Sequence, residues 1–434
     1  VGYRVDPEKI TGKAAPKSPI LPRFRVRNPE DLWGSLGTQI AGGDSLGGKM
    51  HTNFETTDLL VFSNLRWDFV FQRPQHILTR QAKYRRVFYF EEAVFGMTDA
   101  PKLHLKETLD GVKVIVPYLP SNLKPDMITA TLKDLVDHLI FEENLVVYTF
   151  WYYSPAALEF TDHLSPTTVI YDRTSECPPG EANLMEKADL VFTAGPDLYE
   201  SRKNSHPNIH SFPTCTDYAH FSQSRLKLVE PDDQAQIPRP RIGYHGIVDQ
   251  RFDGELVSQL AEKRPDYHFV IMGPTNNIDP ESLPKANNIY YLGAKDHHTL
   301  PLYIAGWDCG MMPYNVSEKT RLINPAALAE ILTAGVPVVS TPVPEVVDPF
   351  EKNALANIAS SAEDFLLCIE KAMNERNSDP EWLEKVDWFL AEHSWDITIA
   401  RMAELECETL KRKTLELNAQ IVRKAVLNSA RGIL

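Results

Sequence analysis

The sequence predicts an α/β protein made of two Rossmann-like, doubly wound domains, and three observations carry that expectation. Short apolar runs alternate with helical stretches from Asp58 to about Pro213, and the same alternation resumes from Arg241 to Ser340. Between the two lies PDDQAQIPRP, Pro231 to Pro240, a polar stretch bounded by prolines and suited to joining domains. At 434 residues the chain is also too long for one ordinary core.

Residues 1–57 are rich in Pro, Gly and charge, loosest over Gly42 to Met50, and are expected to form an extension with one docked piece around Leu32–Trp33. A start at Val1 fits removal of an upstream segment. The first domain is expected over 58–235. Its strands are Leu59–Ser63, Arg86–Phe90, Val112–Val116, Leu145–Phe150, Thr168–Tyr171, Leu190–Thr193 and a last one within Asn208–Pro213. The second domain takes 236–393, with strands Arg241–Tyr244, His268–Met272, Ile289–Leu292, Cys309–Met312 and Pro337–Ser340. Residues 394–434 read as helix. Leu405, Leu410, Leu415, Ile421, Val422 and Val426 make an imperfect apolar stripe among mixed charges, which suits a packed or homo-oligomerising helix better than a membrane-surface one.

A net charge of −14 argues against a protein that holds the phosphate backbone of nucleic acid with clustered Lys and Arg, though it leaves room for local basic patches. The five cysteines lack CxxC or Cys/His spacing, so neither a disulfide framework nor a zinc site is expected, and a reduced, cytoplasmic setting fits best. His163, His245, His297 and His298 also lack ligand spacing and are taken as structural or surface residues; the expectation is no metal. No run of about 18 apolar residues occurs, so any membrane contact is expected to be peripheral, at the inner face.

The richest stretch runs from Trp307 to Val346, strand then helix then strand. Asn324 is a favoured N-cap, Pro325 and Ala326 open the helix, and Gly335 ends it. In such a crossover the helix N-terminus lies beyond the carboxyl end of the preceding strand, where its free N–H groups and dipole attract an anion. Glu330 is the one charge in this helix, and its side chain tilts back toward that anion site. An anion held by amides beside a carboxylate that accepts from a sugar diol is what a nucleotide sugar requires.

Two further strand ends point the same way. Arg241 to Val257 carries Gly246, where backbone can approach a ligand, and Arg251, whose planar fork suits a diphosphate. The strand ending at Gly273–Pro274 is another turn facing the same side, as is Tyr291 to Asp296. In the first domain, Ser63 to Leu78 presents Arg66, Trp67, Gln72 and Arg73 after a strand. There Trp67 either stacks on an acceptor sugar or staples the loop to the core. Asp172 ends a strand within YDRTSE.

These segments, in this order, resemble GT-B fold glycosyltransferases of the retaining family-four type, over roughly Asp58 to Met402. Glu330 matches the second Glu of their E-x7-E motif, which binds the nucleotide ribose; the first Glu has no match. A bacterial subgroup sharing the RWD-F-x-x-QRPQH string of the first domain usually reads SPTK-x-x-E at this helix, and here Ala327 replaces its lysine. The resemblance implies a C-terminal crossover helix from about Ser394, Arg251 on the donor diphosphate, and Asp172 facing the donor sugar, where a carboxylate accepts from a hydroxyl or stabilises charge at the anomeric carbon. It marks Asp172, Arg251 and Glu330 as catalytic. Gly246, Arg251, Gly273, Asn324, Pro325, Ala326 and Glu330 are marked as donor-binding, and Arg66, Trp67, Gln72 and Arg73 as acceptor-binding. The implied partners are a nucleoside diphosphate sugar and a carbohydrate or lipid-linked acceptor of surface-polysaccharide synthesis, with no cofactor. The rival is a non-catalytic sugar-nucleotide-binding or scaffold protein on the same fold, and an epimerase or phosphorylase is the weaker third.

Overall fold

A computed structural model describes residues 57–174, 178–213, 215–226, 228–317, 326–378 and 380–431. The expected extension, residues 1–57, lies outside them save Thr57. The longer helices are α1 (Arg73–Gln81), α2 (Pro125–Glu142), α3 (Gly254–Lys263), α4 (Ala326–Thr333), α5 (Ala362–Ser378), α6 (Pro380–Ala391) and α7 (Trp395–Arg431).

The first sheet is built from β1 (Asp58–Phe62), β2 (Val87–Phe90), β3 (Val94–Phe95), β4 (Lys102–Glu107), β5 (Val112–Leu119), β6 (Tyr148–Tyr152), β7 (Thr168–Arg173), β8 (Leu190–Thr193) and β9 (Ile209–Ser211). Its order is β3-β5-β2-β1-β6-β7-β8-β9, parallel throughout, with β4 added antiparallel to β5. Strands such as Val87–Phe90 and Tyr148–Tyr152 are buried along their whole length, so they read as unbroken apolar runs. Two apolar clusters cover the two faces of this sheet.

The second sheet takes β10 (Arg241–His245), β11 (His268–Met272), β12 (Ile289–Gly293), β13 (Cys309–Met312), β14 (Val338–Ser340) and β15 (Asn357–Ile358). All pairs are parallel, in the order β12-β11-β10-β13-β14-β15. The chain reverses its direction of travel between β10 and β13, the switch point at which open α/β sheets bind ligands beyond their carboxyl ends. Glycine 335 closes α4 in the left-handed region at φ +74°, donating its N–H to Leu332, as the sequence predicts.

The junction between domains lies earlier than composition suggests. Pro231 to Pro240 is mostly exposed but pinned to the second domain: Gln234 is fully buried, its Nε2 donating to the Tyr303 carbonyl (2.8 Å) and its Oε1 accepting from Trp307 Nε1 (2.9 Å). Phe221 and Ile237 belong to the second domain's core, so the chain changes domain between Phe212 and Tyr218. Polar, proline-bounded composition is shared by linkers and by short segments pinned through side-chain amides.

The C-terminal helix returns to the first domain. Trp395, Ile399, Met402, Ala403 and Leu405 of α7 are buried in the cluster under β1, β2 and β6. A fully buried bidentate pair joins Arg85 to Glu406 at 3.0 Å through both oxygens, and Thr149 also donates to Glu406. From about residue 411 to 424, α7 is exposed nearly all round, including Leu415, Leu417, Ile421 and Val422.

Candidate functional site

The carboxyl ends of β10, β11 and β12 are laced together by backbone. Gly246 N–H donates to Met272 (3.0 Å), Gly273 N–H to Gly293 (2.9 Å) and Val248 N–H to Pro274 (2.9 Å). Gly246 and Gly273 hold φ values of +148° and +142°. A Cβ on Gly273 would stand 1.8 Å from the Gly246 carbonyl oxygen, so the two turns touch through backbone alone.

From this edge the chain turns through Asp249 to Arg251. The Arg251 guanidinium forks onto the Asp249 carboxylate at 2.7–3.0 Å through Nε and Nη2, and its side chain is 38% exposed. Hydrogen bonding to Asp249 holds Arg251 above the usual guanidinium pKa, so its charge is permanent. The Arg251 carbonyl accepts from Asn315 N–H, and Asn315 Nδ2 donates to Gln250 and Phe252, which ties this turn to the loop after β13. Asp249 fixes the guanidinium and is a residue that sequence reasoning missed, since nothing marks one loop aspartate among many.

Glu330 is 6% exposed on α4 and stands beside the last residue of β10: His245 Nε2 lies 3.0 Å from Glu330 Oε2, off the line of a hydrogen bond. The structure therefore brings Glu330, His245, Gly246 and Gly273 to the carboxyl edge of β10 and β11, with Arg251 a short turn away. Ala326 opens α4 and is half-buried. Asn324 and Pro325 lie outside the described residues.

The first-domain residues are placed differently from the expectation. Asp172 is fully buried, and its carboxylate is held by Arg73 at 3.0–3.1 Å. Arg73 also donates to the Phe212 carbonyl and stacks its guanidinium on Trp395, 5.9 Å from the ring centroid. Asp172 and Arg73 are thus one internal ion pair, not separate groups facing donor and acceptor, because two buried charges in reach of each other have no better partners. Trp67 takes the stapling alternative: its side chain is buried edge-on to Tyr89 at 4.9 Å, the residue is 8% exposed, and its backbone N–H donates to Glu91 at 2.7 Å. Arg66 remains 40% exposed while bonding Glu91 and the Glu92 carbonyl, and Gln72 precedes α1 with its N–H on Gln75. Glu91, which organises this loop, was not foreseen.

Between the domains, three distant stretches converge. His76 of α1, Asp217 and His297 place one ligand-type atom each within 4.8 Å of one another. Burial pushes His76 well below the usual imidazole value and His297 down to about 4. No sequence spacing could show this cluster.

Glu345 stands where the two domains meet, its Oε1 3.6 Å from the Cβ position of Gly195. Burial, then the charges of Asp197 and Asp348, push its carboxyl up to about 7. The folded protein then binds a proton that the unfolded chain has released, so stability falls as pH rises from about 4.5 through about 7. Glu345→Gln removes that loss: its melting temperature should exceed the wild type's at about pH 8 and match it at about pH 4, read by thermal melts of both proteins. Equal melting temperatures at the higher pH would show Glu345 to be freely solvated.

Residues 249–375, which include Arg251, Gly273 and Glu330, match the family described as Glycosyl transferases group 1. Over 215 residues the chain is 25% identical to the putative teichuronic acid biosynthesis glycosyltransferase TuaH of Bacillus subtilis (strain 168), covering 47% of this chain and 53% of that protein, so the match spans about half the length of this curated relative. Among solved structures, sucrose-phosphate synthase from Thermosynechococcus elongatus superposes with a TM-score of 0.56 at 13% identity, over 82% of this chain and all of that one. HepE from Anabaena, in complex with UDP and glucose, gives 0.54 at 12% identity, over 81% of this chain and 99% of that one. Trehalose-6-phosphate from E. coli bound with UDP-2-fluoro glucose gives 0.54 at 12% identity, over 80% and 99%. The fold is therefore that of the GT-B glycosyltransferases, and the stretch similar to the group 1 glycosyl transferases lies in its second domain.

Proposed function

We propose that the protein transfers a sugar from a nucleoside diphosphate sugar to a carbohydrate or lipid-linked acceptor in the synthesis of a surface polysaccharide. The observation that carries this reading is the placement of Glu330 against the end of β10, with Arg251 one turn beyond, inside the stretch that matches the glycosyltransferase family. Glu330 accepts hydrogen bonds from the ribose diol. The diphosphate lies over the Gly246 and Gly273 turns, close enough for backbone because neither bears a side chain, and takes the exposed Arg251 guanidinium as its counter-charge.

As the bond to the anomeric carbon breaks, negative charge grows on the leaving diphosphate, and a fixed guanidinium and the α4 dipole stabilise it without reorganisation. Asp249 keeps Arg251 in place for this. The chemistry so assigned calls on no cofactor. Retention of the anomeric configuration follows from the family-four likeness of the Glu330 helix, and TuaH, named for teichuronic acid synthesis, supports a polysaccharide acceptor. Two of the similar structures hold UDP or a UDP-sugar, so uridine donors are the first to try. We place the reaction in the cytoplasm with at most peripheral membrane contact; among the described residues no helix is long and apolar enough to cross a membrane.

The test is a panel of nucleotide sugars scored for thermal stabilisation and for release of nucleotide. An enzyme does both with its own donor, through slow hydrolysis even when acceptor is missing. A non-catalytic sugar-nucleotide-binding protein shifts melting and releases nothing. No response to any donor would contradict the proposal.

A further inference from the structure

We propose that His76, Asp217 and His297 form a divalent-cation site of the zinc type that clips the two domains together. One ligand comes from α1 of the first domain, one from the segment joining the domains and one from the loop between β12 and β13. Two imidazoles and a carboxylate, with a fourth position left to water, are a ligand set that zinc favours. The ligand atoms lie within 4.8 Å of one another. Zinc holds nitrogen and oxygen at about 2.0–2.2 Å, which puts neighbouring ligands roughly 3.5 Å apart, so side-chain movements on the order of 1 Å complete the site.

The two rings are already oriented. His76 stacks on Trp395 at 4.9 Å and 13°, and His297 lies between Phe71 (4.1 Å, 11°) and His220 (4.5 Å, 21°). Their planes cross at 81° with centroids 5.3 Å apart, so neither ring can stack on the other. His220 Nε2 bonds the His297 carbonyl at 2.9 Å and holds that loop. His76 is 3% exposed, and its Nδ1 has no hydrogen-bond partner among the described residues. A buried imidazole left with an unmet nitrogen is costly, and nothing among the described residues explains it.

Asp217 has an oxygen to give. Arg80 takes Oδ2 at 2.8 Å, while Oδ1 receives only the His220 N–H at 3.3 Å. Arg80 orients the carboxylate as outer-shell partners of metal ligands do, and its own charge is shared with Asp396 at 2.8 Å. Since the ligands span both domains, a bound cation favours the arrangement seen here over any in which the domains part. The clip lies outside the proposed chemistry: it stands or falls whether or not the chain transfers sugar.

The full chain, stripped with a chelator, is titrated with Co2+ and then Zn2+. We expect one Co2+ per chain with the visible bands of a low-coordinate ion, its displacement by Zn2+, and a higher melting temperature with Zn2+. Asp217→Asn keeps the helix cap and His297→Phe keeps the stack on Phe71. Each should weaken Zn2+ binding by roughly a hundredfold, since losing even an outer-shell partner costs about 10–100-fold. X-ray absorption of the zinc-loaded wild type should count two imidazoles, a readout that does not depend on either variant folding. No stoichiometric Co2+ or Zn2+ binding by the wild type, fewer than two imidazoles on the zinc, or unchanged affinity in both folded variants would overturn the proposal.

Discussion

Glu406→Ala should be among the most destabilising single changes in the protein, lowering the stability of the first domain by about 3–5 kcal/mol. Arg85 and Glu406 are each 1% exposed, meet through two hydrogen bonds of 3.0 Å, and join α7 to the segment before β2. Removing the carboxylate strands a guanidinium where water cannot reach it. The buried apolar residues of α7 then have to hold the helix against that charge. Replacing both partners, as Arg85→Met with Glu406→Leu, should recover most of the loss, because the isolated charge is what costs, not the absence of the pair. Thermal and denaturant unfolding of the three variants decides this. A single variant no less stable than the double would mean that α7 is held by its apolar face alone.

Gly273→Ala should have the largest effect at the donor edge. At φ +142° an L-residue is strained by about 1–3 kcal/mol before any contact is counted. The new methyl would overlap the Gly246 carbonyl oxygen and carbon, both backbone atoms, so no rotamer relieves it. The turns after β10 and β11 must part, and with them goes the surface proposed to receive the diphosphate. Donor affinity should fall by at least about tenfold, roughly 1.4 kcal/mol. Gly293→Ala is the control: its φ is +68° and a methyl there meets nothing within 4 Å, so it should cost stability modestly and leave donor binding alone. Equal donor affinity in wild type and Gly273→Ala would show that the contact between the two turns does not shape the site.

The buried parallel strands were legible because burial on both faces writes them as apolar runs. His268–Met272 and Cys309–Met312 have the bounds that the sequence predicts. Lys102–Glu107 was missed: KLHLK does alternate polar and apolar residues, but two leucines alone carry the pattern, on an edge strand exposed over nearly its whole length. The α4 helix and its glycine cap could be read because capping is local chemistry. Partners far apart in the chain could not. Asp172 looked like a free carboxylate at a strand end because Arg73, its partner, is 99 residues away in sequence. Trp67 carried two readings that only the position of Glu91 and Tyr89 separates. The same distance hid the cluster of His76, Asp217 and His297, which exists only once the domains are packed.

The central claim, that the carboxyl edge of β10 and β11 binds a nucleoside diphosphate sugar through Glu330 and Arg251, is tested most directly by calorimetric titration. Wild type, Glu330→Gln and Arg251→Ala are each titrated with nucleoside, nucleoside diphosphate and nucleotide sugar. Glu330→Gln removes a charge-assisted acceptor and should weaken all three ligands by about ten- to a hundredfold, or roughly 1.5–3 kcal/mol. Arg251→Ala should leave the nucleoside untouched and weaken the diphosphate and the sugar nucleotide, since its partner is the phosphate. Identical affinities across the three proteins would contradict the account and place the donor, if there is one, elsewhere.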